Sequence, residues 1–139
     1  MEITLTNTFF QATVSRQGAQ LISFKNLSTG VEHIWNGNSQ VWKFRAPILF
    51  PIVGRLKDGF YQWQGKQYLL TNHGFARDLE HELVESSGTK VLWRLTDCEY
   101  TRKIFPGPLY WRQSIVWKTP PWYFVPPSSI LALQSWPSA

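Results

Sequence analysis

The chain has a single cysteine among its 139 residues, Cys98, which excludes a disulfide within the molecule. No apolar run approaches the roughly 20 residues that a bilayer crossing needs, so no membrane segment is expected. The amino terminus lacks the basic flank and long apolar stretch of a secretory signal, and a cytoplasmic location is the expectation. Apolar residues nowhere recur at i, i+3, i+4 and i+7 over three turns, and no helix is expected. Metal-ligand spacing is also missing, since His33, His73 and His81 with one cysteine give nothing of zinc type. There is no phosphate-cradling glycine loop and no serine elbow. Neither a metal nor a cofactor is expected. Acidic residues stop altogether after residue 104. The net charge of +5 therefore owes much to an acid-free tail, while the basic residues stand singly and interleave with acids before it. Nucleic-acid binding is not expected, because it needs clustered cations that displace counterions from phosphates.

The chain is rich in aromatic side chains, with eight tryptophans, and in short alternating stretches. "ITLTN", "FQATVS", "AQLISFKN" and "VEHIW" read as strands, separated by turn signals at Gly18 and at Asn26 to Gly30. "PILFPIV" reads as an apolar core strand. "GFYQWQGKQYLL" is the clearest hairpin, with Tyr61 and Trp63 before Gly65 and Tyr68 and Leu70 after it. "HELVESSGTKVLWRLTD" repeats the scheme around "ESSGTK". Many short strands at regular spacing predict an all-β antiparallel sandwich.

Two turns carry the candidate chemistry. "VGRLKDG" holds Arg55 and Lys57, and "TNHGFARD" holds His73 and Arg77. One tight hairpin joins them, which should bring them to the same end of a sheet, where sites on rigid β scaffolds are commonly built. Lys57 reads as a solvated turn residue. His33 and His81 read as core or surface residues, Glu80, Glu82 and Glu85 as a solvated edge, and Cys98 as a small, at least half-buried side chain.

"APILFPIVGRLKDGFYQWQGKQYLLTNHGFARD", with "VEHIWNGNSQVWKFRAP" before it and "ELVESS" after it, resembles the amino-terminal part of the aldose 1-epimerase, or mutarotase, family. The resemblance is strongest to the bacterial branch with an "HGFAR" motif. It implies a β-supersandwich of the galactose mutarotase type, here truncated, and interconversion of the α and β anomers of a hexose or hexose phosphate. That reaction needs a base for the anomeric hydroxyl proton and an acid for the ring oxygen. The resemblance makes Arg55 and His73 substrate-binding residues, and it makes Arg77 a candidate contact for a phosphate, which a guanidinium fork suits. It also implies that the catalytic histidine and glutamate of the family lie in a later half that this chain does not contain. The catalytic residues are therefore unknown.

The resemblance covers about residues 3 to 104, which delimits an amino-terminal region, 1–104, and an atypical tail, 105–139. The tail carries seven of the nine prolines and four of the eight tryptophans. "TPPWYFVPPSS" cannot continue a central strand, because proline donates no ladder hydrogen bond. It reads either as a polyproline-like arm or as the product of a shifted reading frame. The alternative to an isomerase is a non-catalytic carbohydrate-binding module, or one that self-associates through exposed strands.

Overall fold

The computed structural model describes residues 1–116. "TPPWYFVPPSS" and the rest of 117–139 lie outside the described residues. Among the described residues there are three antiparallel sheets. The first orders β1 (Glu2–Thr6), β2 (Phe10–Ser15) and β3 (Leu21–Asn26) side by side. The second is the hairpin of β4 (Phe60–Trp63) and β5 (Lys66–Leu69). The third orders β6 (Glu82–Ser86), β7 (Lys90–Thr96) and β8 (Tyr110–Val116).

Alternation explains the packing of the first sheet on the third. In β7, Val91, Trp93 and Leu95 are buried while Leu92 and Arg94 are not. Leu5 and Val14 from the first sheet, with Ala19 from the turn between β2 and β3, form one core with Val91 and Trp93. A period of two puts a whole apolar set on one face, so this register is strongly specified. On the solvent side the acidic edge is paired: Glu82 lies opposite Arg94 in register, with their charged groups 2.6 Å apart, and Lys90 meets Glu85 at 2.6 Å.

A second core carries the rest of the molecule. Leu70, Phe75, Ala76, Leu95, Leu109 and Trp111 are buried together, with Ile48, Phe50, Ile52 and Tyr61 against them. Phe50 meets Phe75 edge-on at 6.3 Å and Trp111 at 5.9 Å. His81 belongs to this region as a core residue, fully buried and edge-on to Trp111 at 5.5 Å. Its Nε2 has no hydrogen-bond partner among the described residues, and burial pushes its pKa below the ordinary value.

Four details depart from the sequence reading. "PILFPIV" is not a strand, because Pro47 and Pro51 lack amide donors, and it makes only isolated bridges around it, such as Phe50 with Gly74. "VEHIW" is not a strand either. It keeps a single bridge to β3, Glu32 with Lys25, and beside it the Glu32 carboxylate accepts from Ser23 Oγ at 2.5 Å, Phe24 N–H at 2.7 Å and Ile34 N–H at 2.9 Å. Desolvation would raise the Glu32 pKa, but these bonds and one to the backbone of His33 outweigh it and hold the carboxyl at about 2.

A short helix, α1 (Glu99–Ile104), is present where none was expected, since six residues are too few to show a helical period. Cys98 is exposed, against expectation, because it caps this surface helix: its N–H donates to Thr101 Oγ1 at 2.8 Å.

Candidate functional site

The β4–β5 hairpin turns through Gln64 and Gly65, both at positive φ, as the tightest hairpin turns require. Tyr61 Oη donates to the Ile104 carbonyl at 2.9 Å and anchors the hairpin to α1. Burial raises the Tyr61 pKa, with a further push from Tyr68.

Below the hairpin, the two chemistry-bearing turns are joined through their backbones. Gly54 N–H donates to His73 Nδ1 at 2.9 Å, and His73 N–H donates to the Gly54 carbonyl at 2.8 Å. The Phe50 carbonyl accepts from Phe75 N–H at 2.9 Å and Ala76 N–H at 3.2 Å. This approach explains Gly74, whose φ is +71° and where a Cβ would stand 2.1 Å from the Phe50 carbonyl oxygen. His73 itself has a φ of 65°, in the left-handed region.

Arg55 follows Gly54 directly, is exposed, and has no hydrogen bond or ion pair among the described residues. It lines an open groove of about 630 Å³ together with Leu69, Leu70, Thr71, Asn72, Tyr100 and Ile104. His73 is half-buried and is the residue after Asn72, but it is not part of this lining. Arg77 is also outside the lining. Its guanidinium lies 4.5 Å over the Phe44 ring, its Nη2 donates to the Asn72 carbonyl at 3.0 Å, and its Nε stands 3.5 Å from Asp78 without making a hydrogen bond. Lys57 is exposed.

The structure thus brings Arg55 and His73 together and engages Arg77 with its own loop. Asn72 and Tyr100 are groove residues that the sequence reading missed. Asn72 was in view as part of "TNHGFARD", but Tyr100 arrives through α1 and carries no motif. The lining contains no carboxylate and no histidine, so the groove offers a cation, an amide, two hydroxyls and apolar wall, which suits holding a polar ligand rather than moving its protons. Among the described residues no three His, Cys, Asp or Glu are placed to hold a metal ion, and no helix is long and apolar enough to cross a membrane.

The model of the aldose 1-epimerase family matches residues 1–116. The chain belongs to the aldose 1-epimerase family. Family members similar to it include the chromosomal protein LacX of Lactococcus lactis subsp. lactis, 33% identical over 100 residues, a match covering 68% of this chain and 33% of that one. A galactose mutarotase related enzyme from Lactobacillus acidophilus superposes with a TM-score of 0.83 at 36% identity, covering 85% of this chain and 39% of the other. A galactose mutarotase-like protein from Lactobacillus casei gives 0.82 at 30% identity, with 86% and 40% covered. This aldose 1-epimerase family chain therefore spans about a third of that curated relative and about two fifths of those solved structures.

Proposed function

We propose that residues 1–116 form the sugar-holding wall of an aldose 1-epimerase site, in which Arg55 and His73 hold the hydroxyls and ring-oxygen side of a hexose or hexose phosphate. The observation that carries this reading is the reciprocal hydrogen bonding of Gly54 and His73, which joins the two turns at one end of the hairpin, where Arg55 lines an open groove. Arg77 is a secondary part of the proposal, an anion contact through the N–H groups that its loop does not use. In the reaction of the family the ring opens when a base takes the anomeric hydroxyl proton and an acid protonates the ring oxygen, and it recloses on either face of C1. The groove supplies neither group, so the proposed contribution of this wall is binding and orientation.

Anomer exchange followed by NMR, with glucose, galactose and glucose 6-phosphate, tests this on the purified chain. The expected result is saturable shifts at Arg55 and His73 with exchange no faster than in buffer. Shifts absent for all three sugars would overturn it. Tighter binding of glucose 6-phosphate that Arg77→Ala abolishes would support the anion contact.

A further inference from the structure

From the hydrogen bonds around His73 we infer that its ring is a fixed donor, neutral and protonated on Nε2, and that Gly54 sets this tautomer. A backbone N–H can only donate, so the 2.9 Å bond from Gly54 requires a lone pair on Nδ1. In the neutral ring the proton must then sit on Nε2. The second bond, from His73 N–H to the Gly54 carbonyl at 2.8 Å, closes a ring of contacts that holds the imidazole by its own backbone. The left-handed φ of His73 and the φ of +87° at Gly54 belong to the same bracket.

The chemical consequence deepens the proposed function and rests on it. Nδ1 is occupied by an amide and Nε2 already bears its proton, so His73 has no site to receive a proton from an anomeric hydroxyl. It can hold an oxygen lone pair, such as a ring oxygen, a hydroxyl or a phosphate oxygen, but it is not the base. The Gly54 amide is a positioning group: it acts on a ligand only through the ring it orients.

Two substitutions separate the two ends of the ring. In His73→Asn the side-chain oxygen takes the place of Nδ1 and the Nε2 donor is lost. In His73→Gln an amide nitrogen takes the place of Nε2 and the acceptor for Gly54 is lost. Two-bond proton–nitrogen correlation on the full chain should show Nε2 protonated and Nδ1 bare. Amide exchange at Gly54 should be unchanged in His73→Asn and roughly tenfold faster in His73→Gln, the loss of one hydrogen bond worth about 1.4 kcal/mol.

A ring protonated on Nδ1, or faster Gly54 exchange in His73→Asn, overturns the inference and leaves the sugar reading standing. A ring protonated on Nε2 in a chain whose signals no sugar moves supports the fixed tautomer and sinks the sugar reading instead.

Discussion

The sandwich core and the paired turns at the end of the hairpin are held by different means. The core is held by side chains: Trp93 and Val91 on one sheet close against Leu5 and Val14 on the other and against Ala19 in the turn between β2 and β3, and alternation chooses which strand residues face inward. The turns are held largely by main chain, with the His73 ring accepting from Gly54. Gly54, Phe50, His73, Phe75 and Ala76 exchange hydrogen bonds at backbone atoms, with glycine where the chains approach and positive φ where they bend. The difference teaches where each region is sensitive. The core should respond to volume, and the turns to backbone conformation, almost regardless of what the side chains weigh.

The largest effect expected from breaking this comparison is in the core. Trp93→Ala should cost about 3–5 kcal/mol, through lost burial and the cavity left behind. Against a typical domain stability of about 5–15 kcal/mol, that is a large share of what holds the chain folded. Urea unfolding followed by circular dichroism reads it, and a loss under about 1 kcal/mol would mean the core is not closed around Trp93.

Next comes the turn region. Gly74→Ala adds one methyl group but meets both a left-handed φ and the Phe50 carbonyl, so a cost of about 1–3 kcal/mol is expected. Its signature should be local: faster exchange at the Phe75 and Ala76 amides, which donate to Phe50. Equal loss of protection throughout β7 would erase the distinction between the two regions.

Titration sharpens the comparison from the core side. His81 is buried with its pKa lowered by desolvation, so the unfolded chain binds a proton that the fold refuses. Above the ordinary value of 6.5 both states are neutral and His81 adds no pH dependence. As pH falls below that value stability should drop, by at most about 1.4 kcal/mol per unit, until the folded pKa is reached. His81→Leu should flatten this slope in urea titrations between pH 7 and 5. Glu32 acts lower down: its stabilising bonds are present above 4.5 and fade as pH falls toward about 2.

The smallest stability effect is expected at Arg55, an exposed side chain without partners among the described residues. Arg55→Ala should change unfolding free energy by less than about 0.5 kcal/mol while removing the saturable sugar shifts. A large loss of stability would reassign Arg55 from ligand holding to structure.

Much of this was legible beforehand. Alternation marked β1, β2, β7 and the β4–β5 hairpin, because a period of two is written directly into the residues that must face inward. "VGRLKDG" and "TNHGFARD" were visible as paired turns for the same reason, since the hairpin between them is short. "PILFPIV" misled because an apolar run says that a segment is buried, and it is silent on whether the segment has ladder partners. The helix α1 was too short to leave a period, and with it Tyr100 escaped notice as a groove residue.

What the sequence determined by itself is the β class and the two turns that carry Arg55 and His73, since strand alternation and turn residues are local properties, while the family came through the resemblance of whole motifs. What only the tertiary structure decided is which partners those segments meet. The Gly54 amide reaches His73 across a hairpin, Tyr100 reaches the groove through a helix about 30 residues further on, and Arg77 turns to Phe44 and Asn72. These are contacts between segments, and no local pattern encodes which donor will find which acceptor once the chain has closed on itself.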